Sequence, residues 1–270
     1  MSIKLIAIDI DGTLLNEKNE LAPRTIAALN AATAKGIKVV LTTGRPLTGV
    51  KPYLEALGLQ GDDQFVITFN GALSQTVSGN IITKETITYQ DYLDIEALSR
   101  QLDIHFHVED EQLIYTAHAL IPKYTIGESF LVNMQIQYMP VAEMAVKDYS
   151  KGMMIDEIDV INRVAKEIPA EFHDRFYIVQ STPYFLEFLN KSASKANALA
   201  ELSAKLGINQ DETMALGDQN NDLPMLEWAG LGVAMGNGTP EAKAAANVIT
   251  ATNAEDGVAQ AVEKYVLAAK

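Results

Sequence analysis

The sequence predicts an α/β protein: a Rossmann-like core built on a parallel sheet, with an α+β domain inserted into it. Three observations predict this. Short apolar, β-branched runs alternate with helix-length stretches at both ends of the chain. Each run stops at a cluster of Asp, Asn, Thr and Gly. The stretch between the two ends has a different texture and holds all four histidines and most of the aromatic residues.

Leu5-Ile6-Ala7-Ile8 is long enough for a buried parallel strand, and Asp9 to Thr13 ends it. Pro23 suits a first helical position, the helical pattern runs through Ala34, and Gly36 supplies the stop. Ile37 to Leu41 is the second strand, ended by Thr42-Thr43-Gly44-Arg45-Pro46; a helix follows to Leu57, with Gly58 after it. Phe65 to Phe69 is the third strand, ending at Asn70-Gly71. This βαβαβ order calls for parallel strands joined by right-handed crossovers. From about Ile81 to Leu189 the strands alternate more, as in Gln135 to Met139 and Phe176 to Gln180. Helices over Asp91 to Gln101 and Asp159 to Glu167 complete the pattern of an insert with an antiparallel sheet. The first texture then returns. Ser194 is placed to cap a helix whose Leu199, Leu202 and Leu206 share one face, closed by Gly207. Thr213 to Leu216 ends at Gly217-Asp218, and a short helix runs through Leu226 towards Gly230. Gly232 to Met235 and Val248 to Thr250 are short strands, and Ala254 to Ala268 reads as a terminal helix. The limits that follow are 1–82 and 190–270 for the core and 83–189 for the insert.

Composition narrows the chemistry. No run approaches the roughly 18 apolar residues of a membrane span. Met1-Ser2-Ile3-Lys4 lacks the basic start and cleavage site of a secretory signal, so a cytoplasmic location is expected. Cysteine is absent, which excludes disulfides, thiolate nucleophiles and cysteine-bound metals. Lys and Arg number 21 against 35 Asp and Glu, a formal charge of −14. So acidic a chain is unsuited to broad contact with nucleic-acid phosphates. An anionic ligand must be held locally, by a metal ion, helix N-termini and a few placed cations.

Ligands of open α/β sheets bind at the carboxyl ends of the strands. Four such ends carry unusual residues here: Asp9-Ile10-Asp11-Gly12-Thr13, Thr42-Thr43-Gly44-Arg45, Asn70-Gly71 and Gly217-Asp218-Gln219-Asn220-Asn221-Asp222. Residues two apart in extended chain share a side, so Asp9 and Asp11 repel unless a cation lies between them. A hard divalent ion such as magnesium suits that pair, and Asp218 is placed to complete its site. Gly12 allows a tight turn and a close backbone approach. A lone Asp-x-Asp usually just ends a strand. The full Asp-x-Asp-Gly-Thr arises by chance in on the order of one in several hundred chains of this length.

Asp9-Ile10-Asp11-Gly12-Thr13-Leu14 resembles the first motif of the haloacid dehalogenase (HAD) superfamily. Thr42-Thr43-Gly44-Arg45 resembles the second, and Gly217-Asp218-Gln219-Asn220-Asn221-Asp222 the last; Gly232-Val233-Ala234-Met235-Gly236-Asn237 resembles the stretch that follows it. Their order, with the long insert, is similar to the Cof-type branch with a class IIB cap, and within it to YidA-type sugar phosphatases. The resemblance implies a HAD-like core with an α+β cap. It also implies a magnesium-dependent phosphatase of small phosphate monoesters such as sugar phosphates. Asp9 would form an aspartyl-phosphate, and Asp11 would act as acid and then base. Metal binding would fall to Asp9, Asp218 and Asp11, the last through its backbone carbonyl, with Asn221 and Asp222 around the ion. Ile10, Thr43, Gly44, Lys195 and Asn221 would bind phosphate or substrate. Thr42 competes with Thr43 for that role, and Lys191 with Lys195, which Ala196 follows where the family often has Gly. Arg45 either touches substrate or pairs with an acid. The expected partner is a small phosphorylated metabolite, with no nucleic acid or membrane, and the chain acting as a monomer or homodimer. A phosphomutase is the rival inside the superfamily. A non-catalytic metal- or nucleotide-binding module is the rival outside it, although no Gly-x-Gly-x-x-Gly follows the first strand.

Other features read as structure. His105-Phe106-His107 lacks the further ligands of a metal site. Tyr184-Phe185 and Trp228 read as packing residues. Asn70-Gly71-Ala72 either forms a turn or faces a leaving group.

Overall fold

The computed structural model describes residues 2–268. It divides the chain into two units: residues up to Lys84 together with those from Ser194 onward, and Glu85–Ala193.

The first unit runs β1 (Leu5–Ile8), α1 (Pro23–Ala34), β2 (Lys38–Thr42), α2 (Leu47–Ala56), β3 (Phe65–Thr68), β4 (Leu73–Thr76) and β5 (Ile81–Lys84) before the insert. The second unit holds α3 (Tyr89–Gln101), β6 (His105–Glu109), β7 (Leu113–Thr116), α4 (Lys123–Val132), β8 (Gln135–Tyr138) and β9 (Lys151–Ile155). It closes with α5 (Ile158–Glu167), α6 (Ala170–Arg175), β10 (Phe176–Thr182) and β11 (Phe185–Asn190). The first unit resumes with α7 (Lys195–Leu206), β12 (Thr213–Gly217), α8 (Leu223–Trp228), β13 (Leu231–Ala234), α9 (Pro240–Ala245), β14 (Val248–Ile249) and α10 (Gly257–Val262).

The first unit's sheet has the order β14-β13-β12-β1-β2-β3-β4-β5. Strands β14 through β3 are parallel, and β4 and β5 add an antiparallel edge. Both faces are covered, which is why the strands read as continuous apolar runs. Ile6, Ile8, Leu41, Met214 and Leu216 pack under α1, α2 and α10; Leu5, Ala7, Val40, Ile67 and Ala215 pack under α7 and α8. Because β12, β1, β2 and β3 are neighbours and parallel, their carboxyl ends at Asp218, Asp9, Thr43 and Phe69 lie along one edge.

The second unit's sheet has the order β10-β11-β9-β6-β7-β8. It is antiparallel except for β7 with β8, which are parallel because α4 joins them as a crossover. The wholly antiparallel sheet expected from sequence is corrected at that pair. Phe106, Met154 and Phe188 on one face belong to a core shared with α3, α5 and α6. The other face buries His107, Glu109, Lys151 and Glu187. Lys151 Nζ lies 3.7, 3.9 and 3.6 Å from carboxylates of Glu109, Glu128 and Glu187. His105 contacts Asp156, and His107 contacts Thr125 and Glu109.

The joins between units differ from the expected 82/83 and 189/190. Residue 84 pairs with Leu73 in the β4–β5 hairpin and so stays with the core. Asn190 pairs with Phe176 and accepts the Ala193 N–H, which keeps residues 190–193 with the insert. The terminal helix also starts later than expected. Asn253–Glu255 form a short 3-10 turn capped by Thr252 and Glu255, Asp256 is left-handed at φ +59°, and α10 begins at Gly257. No helix among the described residues is long and apolar enough to cross a membrane.

Candidate active site

Asp9 directly follows β1, and its N–H donates to the Leu216 carbonyl of the neighbouring strand at 3.0 Å. The chain then turns through Ile10–Leu14, with Gly12 at φ +84°. That position needs glycine twice over: the backbone is left-handed, and a Cβ would lie 2.4 Å from Asp218 Oδ2. The side chain of Ile10 is buried in the core, so only its backbone can meet a ligand.

Lys195 is the first residue of α7, whose N-cap Ser194 accepts from the Asn197 N–H at 3.0 Å. Its fully buried ammonium donates to Asp9 Oδ1 at 2.6 Å and Asp222 Oδ1 at 2.7 Å. Lys191 instead donates to the His173 carbonyl within the second unit. Asp222 closes back on its own strand end, with Oδ2 accepting the N–H groups of Asp218 and Gln219 at 2.9 and 3.0 Å. Asp218 accepts from the Thr13 hydroxyl at 2.7 Å and from the Gln219 amide at 2.9 Å.

Asp9, Asp218 and Asp222 are all buried, and ligand oxygens from the three lie within 4.8 Å of one another. Burial raises the Asp9 carboxyl well above its usual range; the Asp222 charge adds to this, Lys195 opposes it, and Asp218 and Asp11 add smaller upward effects. Burial likewise raises Asp218, against the Thr13 and Gln219 hydrogen bonds. Burial pulls the Lys195 ammonium down, but Asp222 and Asp9 outweigh it and leave the lysine raised. When all three are ionised, the carboxylates facing this one ammonium carry two negative charges more than it offsets, in a buried place. A divalent cation offsets that deficit, and an all-oxygen donor set fits a hard ion.

The carboxylate of Asp11 is not part of this group. It is 54% exposed and held by Arg45 through Nε at 2.8 Å and Nη2 at 2.5 Å. Arg45 is itself buried, with Tyr53 alongside it. Of the two readings of Arg45, the structure has it pairing with an acid. The metal set read from the sequence took Asp11 through its backbone carbonyl and placed Asp222 around the ion; the third side chain of the structure's carboxylate group is Asp222. Its signal was the i, i+4 spacing from Asp218 across a turn, which brings both acids to one strand end.

The Thr42 hydroxyl turns back on the Val40 carbonyl at 3.4 Å. The Thr43 hydroxyl accepts the Arg45 N–H at 3.2 Å and keeps its own hydrogen to donate. Asn221 donates to Asn70 Oδ1 at 3.0 Å, and Asn237 donates to the Gly12 carbonyl at 2.8 Å. Neither contact was read from the sequence, because each joins residues more than 150 positions apart.

Residues 6–262 match the family profile of haloacid dehalogenase-like hydrolases. The chain belongs to that family. This hydrolase is 48% identical over 268 residues, 99% of its own length and all of the other's, to "Putative phosphatase M6_Spy0533" of Streptococcus pyogenes. It is 32% identical over 267 residues, 99% and 97% of the two chains, to the 5-amino-6-(5-phospho-D-ribitylamino)uracil phosphatase YcsE of Bacillus subtilis. Among solved structures it superposes on the HAD subclass IIB sugar phosphatase BT4131 with a TM-score of 0.80 at 28% identity, covering 96% of this chain and 98% of that one. The parallel-sheet core with an inserted α+β cap is therefore the HAD arrangement with a IIB cap.

Proposed function

We propose that this hydrolase is a cytoplasmic, magnesium-dependent phosphatase of small phosphate monoesters, with sugar and polyol phosphates as its substrate class. The observation that carries the reading is Asp9. It is a buried carboxylate at a strand end, fixed by Lys195 and bordered by two further acids, with oxygens of all three within 4.8 Å of one another. The substrate class is supported by the sugar phosphatase and the phospho-ribityl phosphatase among its relatives.

In this reading Asp9 attacks phosphorus, forming an acyl-phosphate bond as the ester P–O bond breaks. Asp11 gives its proton to the departing alkoxide. It then takes a proton from the water that attacks the aspartyl-phosphate, which releases inorganic phosphate and restores Asp9. Asp11 must leave Arg45 to do so, and its carboxylate lies 54% exposed. Lys195 favours the ionised form of Asp9 and holds it in place, while Thr43, Gly44 and the backbone of Ile10 offer donors to the phosphoryl oxygens. Asp9, Asp218 and the backbone of Asp11 would hold the magnesium ion, with Asp222 beside them; bound there, the ion neutralises charge on the transferring group.

The test is phosphate release from a panel of sugar phosphates, polyol phosphates and an aryl phosphate, with magnesium and with a chelator. Free phosphate that depends on magnesium supports the reading. An isomeric sugar phosphate in its place would make the enzyme a mutase, and no turnover of any ester would return it to a binding module. Asp9→Asn is expected to lose turnover by at least about a thousandfold while keeping its melting temperature.

A further inference from the structure

Phe69 and Asn70 lie at φ +51° and +54°, two consecutive non-glycine residues in the left-handed region, and Gly71 follows at φ +96°. That backbone is uncommon for residues with a Cβ, tolerated best by asparagine and least by a bulky residue such as the fully buried Phe69. It persists only where surrounding contacts over-determine it, and here they converge from three segments. The N–H groups of Phe69 and Asn70 donate to the carbonyls of Arg45 at 3.2 Å and Thr43 at 2.9 Å. Gly44 lies so close that a Cβ on it would meet the Asn70 amide nitrogen at 3.0 Å. Asn70 Oδ1 accepts from Asn221 at 3.0 Å. A Cβ on Gly71 would fall 2.1 Å from the Ser194 carbonyl and 2.8 Å from the Lys195 nitrogen. One strained turn thus touches the Thr43–Arg45 loop, the start of α7 that carries Lys195, and the Asn221 side chain.

We propose that Asn70 is a positioning residue for the phosphate cradle. Its left-handed backbone gives the N–H to Thr43 while its side chain fixes the orientation of Asn221. The cradle is then in place before a phosphate arrives, which limits the ordering that binding must supply. The inference rests on the phosphatase reading and adds to it a residue that acts through Asn221 and Thr43.

The experiment is a double-mutant cycle in the full chain: wild type, N70G, N221A and N70G/N221A. Glycine at 70 keeps the left-handed backbone without strain and removes only the side chain. The readouts are the affinity for inorganic phosphate by calorimetry in the presence of magnesium, and kcat and KM on an aryl phosphate. The melting temperature serves as control. N70G is expected to weaken phosphate affinity and raise KM roughly tenfold, with a smaller change in kcat. The double variant is expected to bind phosphate no more weakly than N221A alone. A merely structural role would lower the melting temperature and leave the phosphate affinity of the folded molecules unchanged. Additive losses, or equal affinity in all four chains, would overturn the proposal. A wild-type chain that hydrolyses no ester sinks the phosphatase reading alone, because the coupling is still read from phosphate affinity.

Discussion

Gly12 shows how little freedom single positions have at this strand end. Its left-handed backbone excludes most residues, and its missing side chain is what allows Asp218 to approach. Gly12→Ala is expected to lower the melting temperature by roughly 5 °C or more and to weaken magnesium binding measured by calorimetry. A variant with wild-type magnesium affinity would contradict the close packing of residue 12 on Asp218. Asp222 is constrained differently, since one oxygen receives two backbone N–H groups and the other the Lys195 ammonium. Asparagine there can keep the backbone contacts, but it turns an NH2 group towards the lysine. Asp222→Asn is expected to fold, lose about 2 kcal/mol in urea titrations and fall at least about a hundredfold in kcat. Asp222→Ala removes every one of these bonds, leaves the buried Lys195 ammonium with Asp9 alone, and is expected to cost about 3–5 kcal/mol.

Among the elements, α7 links stability to the site most directly. Ser194 caps it, Leu199 and Leu202 anchor it in the core, and its first residue is the lysine that holds Asp9. Ser194→Ala is expected to cost about 1 kcal/mol and to lower kcat along with stability, because fraying the first turn releases Lys195. Unchanged kcat in a destabilised Ser194→Ala chain would show that Lys195 is held by its carboxylates alone. This helix was legible in the sequence because its signals are local: a cap residue, an apolar face and a closing glycine. The strand ends were legible for the same reason, since Asp9 to Thr13 and Gly217 to Asp222 are contiguous. Arg45 with Asp11, Asn221 with Asn70 and Thr13 with Asp218 were not, because each pairing depends on how β1, β2, β3 and β12 line up. The short parallel pair β7–β8 was missed because four-residue strands carry no mark of direction.

At the scale of the molecule, the insert carries what an independent unit requires. Residues 85–193 form a six-stranded sheet with its own apolar core, and their two ends meet where Asn190 donates to the Thr86 carbonyl at 2.9 Å. A chain that leaves and returns at neighbouring points can be cut there without breaking its contacts. Expressed alone, this segment is expected to unfold in urea in a single cooperative transition; a gradual transition with strong dye binding would show that it depends on the rest of the chain. Its stability is also expected to fall in mild acid. Burial lowers the His118 pKa to about 4, with Arg100 and His105 adding to the effect, so the folded unit keeps this ring neutral. In the unfolded chain the same ring takes up a proton near pH 6.5. Between those values the unfolded state binds more protons, so the contribution is fully present above about pH 6.5 and is lost as pH falls towards 4. After allowance for partial exposure the effect is on the order of 1–2 kcal/mol. His118→Gln cannot titrate, so the stability difference between pH 7 and pH 5 is expected to shrink by that amount in the variant. An unchanged difference would mean that the acid sensitivity of the insert lies with its carboxylates instead.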